Sequence, residues 1–246
     1  MSTRSKYNAG TLVFFDPAQN YENVLPVSPF YYEDDFVGAG KQAFATTGTQ
    51  GLDWIKKIVG AAPPTLAGVA NAAGGQVQAA LTSTSEKQEA TLYWADNLQI
   101  DMTKGACFEA RVKLPVLPSI AGVQAVWGLS SAWADGPDNA SYYAEFGVNG
   151  SGALLLRSRD GVTTNSKATA TTLLATDWHI FRMDATDVTD VKFFVDGVQQ
   201  NVNNGLAFAA TGANAILQPY FGVYKASGVG VGTLLVDYIR LWSNRT

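Results

Sequence analysis

Alternation of hydrophobic and polar residues is the main pattern of this chain from Gln76 onward. Its clearest run places Phe108, Ala110, Val112 and Leu114 in alternation with Cys107, Glu109, Arg111 and Lys113. A period of two predicts a strand with one buried face. Two more long strands are predicted late in the chain, over residues 220–224 and 233–242.

Turn signals separate these runs. Asp196-Gly197 stands between the apolar run 191–195 and residues 198–202, and Asp160-Gly161 stands between two similar segments. Asp-Gly between two strand-like runs predicts a tight hairpin, because its turn needs positive φ at both central residues. Short strands with such turns and no convincing amphipathic helix predict an all-β chain, an antiparallel β-sandwich or barrel.

The N-terminal region has a different pattern. Residues 1–30 are polar and aromatic and are interrupted by Pro17, Pro26 and Pro29, which predicts an extended arm ahead of a single domain over residues 31–246. Residues 52–59 fit either a strand or a short helix. We expect the arm to bind a partner through its large apolar side chains, Tyr7, Leu12, Phe14, Phe15, Tyr21 and Phe30.

Composition and charge exclude several classes of function. Charged residues make up 15% of the 246 residues, the net charge is −4 and the pI is about 5.0, so a basic nucleic-acid surface is excluded. Because the longest apolar runs fall far short of about 20 residues, we expect no membrane span. One Cys and one His exclude an internal disulfide framework and a zinc site of several such ligands. No cofactor motif is present, and without a secretion signal the protein is expected to fold in the cytoplasm where it is made.

Four stretches, in order, resemble the concanavalin A-like lectin/glucanase superfamily and its laminarinase-type glycoside hydrolases. They are residues 32–36 (YEDDF), 105–115 (GACFEARVKLP), the pair from Trp178-His179 to 193–197 (FFVDG), and 234–242 (LLVDYIRLW). The resemblance spans about residues 31–246. It implies a jelly roll of two antiparallel sheets, one of them concave, and it does not by itself imply an activity.

The catalytic pattern of those hydrolases is missing here. They carry Glu-x-Asp-x-x-Glu on one concave-face strand, because cleavage needs two carboxylates flanking the glycosidic bond. The corresponding strand is residues 141–148, and the alignment places Tyr143, Glu145 and Val148 at the three positions. We therefore expect no enzymatic activity. A divergent hydrolase would need a second carboxylate facing Glu145, for which Glu109 is the obvious supplier.

An aromatic group near this strand supports an alternative, a carbohydrate-binding module of a phage tail or host-surface protein. Flat rings bind apolar sugar faces, and carboxylates or amides bind hydroxyls. The candidate glycan groove consists of Trp127, Trp133, Asp135, Asn139, Tyr142, Tyr143 and Glu145. The competing interpretation is that these rings fill the sheet as ordinary packing.

The other candidate sites are weaker. The loop 135–139 is the only stretch comparable with a lectin-type metal site, and the acidic run 33–35 could help to bind calcium through oxygen ligands. A solvated turn and the exposed start of the first strand are the favoured interpretations of these two segments, so we expect no metal. His179 lacks a nucleophile placed by any motif, and Cys107 lacks an activating neighbour, so both are expected to be structural.

The combination of a jelly roll without catalytic acids, a long arm and low charge resembles structural proteins of tailed bacteriophages. The sequence thus favours a capsid decoration protein on the virion surface, a homo-oligomer that binds the major capsid protein and copies of itself. Weakly charged surface is buried against partners at little desolvation cost. Cell-surface glycan remains the alternative partner.

Overall fold

Two antiparallel β-sheets pack face to face in this protein, as a computed structural model describes it. The described residues are 4–8, 11–16, 21–23, 30–38, 44–47, 54–150, 152–202 and 205–244. The two packed antiparallel sheets confirm the predicted β-sandwich. A smaller three-stranded sheet precedes it in the chain.

The first large sheet, here called the front sheet, contains the strand that aligns with the catalytic strand of the hydrolases. Its path is β14-β13-β12-β11-β18-β8-β5, and β9 pairs with β18 beside that path. The strands are β5 (Ile55–Val59), β8 (Gln88–Tyr93), β9 (Ile100–Asp101), β11 (Val123–Ser130), β12 (Tyr142–Asn149), β13 (Ala153–Asp160), β14 (Thr164–Thr172) and β18 (Ile216–Lys225).

The second large sheet, the back sheet, follows the path β17-β16-β15-β10-β19-β7-β6, and β4 also pairs with β19. Its strands are β4 (Phe30–Asp34), β6 (Thr65–Gly68), β7 (Val77–Ala80), β10 (Ala106–Val116), β15 (His179–Ala185), β16 (Lys192–Val195), β17 (Val198–Gln199) and β19 (Thr233–Ser243). Three short 3-10 helices lie among the described residues, at Met102–Lys104, Pro137–Asn139 and Gly212–Ala215.

The core lies between the two sheets, as the alternation on β10 predicted. Phe108, Ala110, Val112 and Leu114 are all buried there. Their polar neighbours point to the outer face of the back sheet, yet Cys107 and Glu109 are also buried. The alternation therefore fixes which side of the strand faces the core, but it does not predict that the other side is covered as well.

The predicted turn conformation is present at Asp196-Gly197 but not at Asp160-Gly161, where Gly161 has positive φ and Asp160 does not. Asp196 and Gly197 both have positive φ, 49° and 81°, and they join the paired strands β16 and β17. The ambiguous segment 52–59 contains the strand β5, while residues 51–53 lie outside the described part of the chain.

The extended strands of the N-terminal segment form a small sheet of their own. The segment forms β1 (Arg4–Asn8), β2 (Thr11–Asp16) and β3 (Tyr21–Asn23), an antiparallel sheet in which β2 pairs with both neighbours. Prolines 17, 26 and 29 fall outside the described residues.

One aromatic contact ties this N-terminal sheet to the back sheet. Phe14 is 2% exposed and meets Trp242 edge to face, with ring centroids 4.6 Å apart, in a small cluster with Cys107. Arg182 also donates a hydrogen bond to the Ser5 hydroxyl. Phe14 is thus occupied within its own chain, contrary to its predicted role as a partner contact.

The other predicted arm contacts are placed as follows. Phe15 is half-buried with Lys6 over its ring, and Phe30 begins β4 and packs against the main core. The side chains of Tyr7, Leu12 and Tyr21 lie outside the described part of the structure. None of the described helices has the length and apolar character needed to cross a membrane.

Candidate functional site

The strand β12 presents one acidic side chain to the outer face of the front sheet, here called the front face. Ala144, Phe146 and Val148 belong to the core cluster, so Tyr143 and Glu145 point to the opposite side. Val148, which aligns with the third position of the catalytic pattern, is therefore a core residue. Glu145 remains as the single carboxylate of this strand.

Glu145 is buried beside Arg157 of the neighbouring strand β13. Its side chain is 1% exposed, and its Oε1 atom lies 3.3 Å from Arg157 Nη2. That oxygen has no partner with hydrogen-bonding geometry, so the contact is an ion pair. Burial raises the pKa of Glu145 to about 7, and the guanidinium of Arg157 opposes that rise.

A glycine on β11, the other neighbour of β12, allows these two strands to approach closely. Gly128 of β11 lies opposite Glu145 in the register. A Cβ at this position would come within 2.6 Å of Glu145 Cα and of the Ala144 carbonyl oxygen. Only glycine allows this approach of the two backbones without a shift of β12.

A second acidic residue, Glu89 of β8, also lies on the front face, and sequence reasoning missed it. It is 1% exposed and accepts four hydrogen bonds, from Trp133 Nε1 at 2.7 Å, Thr91 Oγ1 at 2.9 Å, the Tyr220 hydroxyl at 3.1 Å and the Gly136 amide at 3.2 Å. The alternation in residues 88–93, with Glu89, Thr91 and Tyr93 in phase, is the sequence signal that could have identified it.

Glu109, the second acid suggested by the sequence, is placed elsewhere. It lies on β10 of the back sheet, where it accepts a hydrogen bond from the Tyr238 hydroxyl at 3.0 Å and pairs with Arg240 at 3.6 Å. Arg111, on the same strand, binds Asp237 at 2.6 Å. Glu109 therefore cannot face Glu145 across a substrate, because the whole core separates them.

The front face is covered by the connection between β11 and β12, residues 131–141, here called the covering loop. β11 ends at Ser130, yet Asp138 of the loop accepts a hydrogen bond from Gln124 Nε2 at 2.6 Å, near the start of the same strand. The loop therefore runs back along the length of the sheet. Asp138 also pairs with Arg157, and Asp135 pairs with Lys87 at 2.8 Å.

Trp133 fixes this loop over the centre of the front face. Its backbone amide donates to Asp96 Oδ1 at 2.7 Å, and its indole nitrogen donates to Glu89. Lys57 Nζ lies 4.4 Å from the centre of its ring. The indole packs against a small cluster of buried residues on this face, Ile55, Tyr93, Val126 and Tyr220.

The residues of the predicted glycan groove lie in several separate parts of the structure. The prediction for Trp127 is wrong, because this residue has the opposite phase on β11 to the front-face residues and is fully buried between the sheets. Its ring centroid lies 4.7 Å from that of Phe181, and its ring is nearly parallel to that of Phe146. Tyr143 faces front but is 2% exposed. Asp135 is held by Lys87, and Glu145 by Arg157.

Three of the predicted residues, Trp133, Asn139 and Tyr142, do meet. They line a cavity of about 350 Å³ at the end of the sandwich, together with Leu98, Ser131, Ala132, Ala134, Ser141, Ala213, Asn214 and Ile216. A second cavity, of about 260 Å³, lies between the covering loop and the β13–β14 side of the sheet. Its lining includes Asp138, Tyr143 and Arg157, so it is charged. None of the described residues that line the first cavity carries a formal charge.

The acidic segments considered for calcium are bonded to protein groups. Glu33 Oε1 accepts from Arg240 Nε at 2.9 Å, and Asp34 Oδ2 accepts from the Trp54 indole at 2.7 Å. Within the described ranges, no three residues of the His, Cys, Asp and Glu types are grouped as a metal site would need.

His179 and Cys107 have structural surroundings. His179 Nδ1 lies 2.7 Å from Asp196 in the β16–β17 turn, and Cys107 is packed beneath Phe14 and Trp242. Burial raises the pKa of the Cys107 thiol well above its ordinary value, which disfavours the reactive thiolate.

Comparison with known proteins gives similarity to solved structures. No family model matches the chain, and no curated protein matches it. Among solved structures, an endo-1,3-β-glucanase from Streptomyces sioyaensis is similar at 15% identity and a TM-score of 0.53, over 89% of this chain and 99% of the other.

Two further structures are similar to this chain. A pseudo β-1,3-glucanase of Mycobacterium tuberculosis matches at 13% identity and a TM-score of 0.52, over 87% of this chain and 98% of the other. A protein of unknown function from Shewanella oneidensis matches at 13% identity and a TM-score of 0.57, over 87% and 86%. At such identities the likeness concerns the fold alone. The chain has the β-sandwich fold of these glucanase-like proteins, which is consistent with a concanavalin A-like fold.

Proposed function

We propose that this protein is non-catalytic and acts as a structural part of a virus particle, as a decoration protein on the capsid of a tailed bacteriophage. The observation that carries the non-catalytic part is the burial of Glu145 against Arg157 beneath the covering loop. The fold is compatible with both a catalytic and a non-catalytic protein, since the similar structures include an endo-1,3-β-glucanase and a pseudo β-1,3-glucanase.

The surroundings of the two front-face acids argue against glycoside hydrolysis. Such enzymes need two carboxylates that reach opposite sides of a glycosidic bond. Glu89 has its oxygens engaged by four donors, and Glu145 is held by a cation. A sugar chain would first have to displace the covering loop, which breaks the Trp133–Glu89 hydrogen bond and the Asp138–Arg157 ion pair.

The surface favours assembly. Only 15% of the residues are charged, so a large area can be buried against neighbours with little desolvation cost. The N-terminal sheet is held to the sandwich by Phe14 and keeps Phe15 partly accessible on the other side of the strand. Decoration would then stabilise a shell by mass action, because the bound protein favours the assembled state.

Two measurements test this proposal. Purified protein incubated with β-1,3-glucan should release no reducing ends, and turnover that is abolished by Glu145→Gln would refute the non-catalytic assignment. Quantitative mass spectrometry of virions purified from the phage that encodes this chain should give a copy number comparable with that of the major capsid protein. A copy number of a few per virion, or absence from virions, would refute decoration.

The uncharged cavity supports a second candidate, the binding of a neutral carbohydrate. Trp133 and Tyr142 offer ring surfaces, and Asn139 and Asn214 offer amides for hydroxyl groups. A glycan array should then show binding that Asn214→Asp weakens, because the change removes an amide that donates to hydroxyl groups. Asn214 is exposed and the change is nearly isosteric, so the fold should be unaffected. Trp178→Ala, which alters an aromatic residue that packs on Arg111 of the back sheet, is the matched control. An array without binding would remove this candidate.

A further inference from the structure

The strand β14 forms one end of the front sheet, and within the described part of the chain no strand pairs with its outer edge. It pairs with β13 on one side and is the first strand of the sheet path. None of its nine side chains is fully buried, and exposed and half-buried positions alternate along it. Its sequence, TNSKATATT, contains no proline, no acidic residue and one lysine, Lys167. Such an edge is a template for pairing with another strand.

At the other ends of the two large sheet paths, the outermost strands are protected in ways that β14 is not. At the far end of the front sheet, β5 carries Lys56 and Lys57 and is bridged by Ala45. In the back sheet, the end strands β17 and β6 have only two and four residues. Lysines, short strands and covering segments are the usual means of blocking edge-to-edge association.

Exposed apolar residues accompany this edge. Val162 in the turn before β14 is 95% exposed, and Leu174 just after it is 55% exposed. The Thr171 hydroxyl donates to Gln200 Oε1 at 2.6 Å, which brings the end of the back sheet to the same side of the molecule. Val198 and Val202, on either side of Gln200, are 63% and 58% exposed. Exposed apolar side chains therefore lie beyond both ends of β14, whose outer edge pairs with no other described strand.

A register irregularity limits how much of β14 can pair. Ala168 lies opposite Leu155, but Thr172 lies opposite Ala153, so β14 has two more residues than β13 in this interval. The regular ladder is thus confined to residues 164–168, because a bulge bends the strand and interrupts its edge. The centre of that regular segment is Ser166.

We propose that two copies of this chain associate through this edge, with antiparallel β14 strands related by a twofold axis at Ser166. A twofold axis makes any edge strand self-complementary, because the same groups pair in both directions. In this register Ser166 meets its own counterpart and Asn165 meets Lys167. No like charges stand directly opposite each other, since the two lysines lie on a diagonal. This dimer does not depend on the particle role.

Cysteine substitution tests the register directly. Directly opposed residues of antiparallel strands have Cα atoms about 4.5–5.5 Å apart, within the range for a disulfide. Ser166→Cys should therefore give a disulfide-linked dimer under mild oxidation. Thr172→Cys, equally exposed on the same strand but beyond the irregularity, should give little. The native Cys107 is buried and should not contribute. Equal cross-linking of both variants, or none by either, would overturn the proposal.

Charge substitution tests the same contact without covalent trapping. Ser166→Lys places two cations opposite each other on an exposed position, so its dimer dissociation constant in sedimentation equilibrium should rise by about tenfold or more. Mixing this variant with Ser166→Glu should restore association as a heterodimer. Wild-type protein that stays monomeric at high concentration, or a mixture that does not associate, would refute the dimer.

Discussion

Arg157 Nη2 lies 3.3 Å from Glu145 Oε1, and the two side chains are 8% and 1% exposed. Their strands are neighbours in the front sheet, where Glu145 and Arg157 are directly opposed in the register. Asp138 of the covering loop pairs with the same guanidinium. One buried cation therefore compensates a carboxylate of the sheet and also holds the loop that covers it.

Removal of Arg157 should destabilise the protein strongly. Arg157→Leu leaves Glu145 buried without a compensating charge, and breaking a buried ion pair in this way costs about 3–5 kcal/mol. The free energy of unfolding from urea denaturation at pH 8 measures the loss. The double variant Glu145→Leu/Arg157→Leu should recover much of it, because no uncompensated charge remains. A loss of less than about 1 kcal/mol in the single variant would contradict this role.

Glu145 should also make stability depend on pH. Its pKa is raised from 4.5 to about 7 in the folded protein. Between these values the folded state holds a proton that the unfolded state releases, so the contribution of this group is complete below pH 4.5 and is lost as the pH rises through 7. The stability of wild type relative to Glu145→Gln should therefore fall by up to about 3 kcal/mol from pH 4.5 to 8. Parallel stability curves for the two proteins would refute it.

The strands and turns were predictable because their signals are local. The alternation from Cys107 to Leu114 depends only on which side of one strand faces the core, and Asp196-Gly197 needs only the φ preferences of two residues. The covering loop was not predictable in this way. Its path depends on ion pairs between residues far apart in sequence, such as Lys87 and Asp135.

The same limit explains the errors about the candidate site. Trp127 and Trp133 are close in sequence, but one has the inward phase of β11 and the other lies in a loop, so only the second reaches the front face. Glu89 was missed because its strand, β8, is separated from β12 by two other strands, β11 and β18. A single sequence gives the phase of each strand but not which strands become neighbours.

Trp133 should hold the covering loop through its indole nitrogen. Trp133→Phe keeps a ring in place but removes the donor to Glu89, and a hydrogen bond to a charged group contributes about 1.5–3 kcal/mol. Hydrogen exchange of the Gly136 amide, which binds the same carboxylate, should become faster, while exchange in β10 stays unchanged. Trp178→Phe is the control for the chemical change. Unchanged exchange at Gly136 would mean that the loop is held by its ion pairs alone.

Phe14 should hold the N-terminal sheet to the sandwich. Phe14→Ala removes the ring that meets Trp242, so residues before β4 should be released and cut by protease at low concentration. The core of the sandwich does not include Phe14, so its melting temperature should move by no more than about 2–4 °C. Phe15→Ala, on the other side of the same strand, should leave the protease sensitivity unchanged. If Phe14→Ala unfolds the whole protein, or if the N-terminal strands stay protected, then this contact does not act as the separable attachment that the structure indicates.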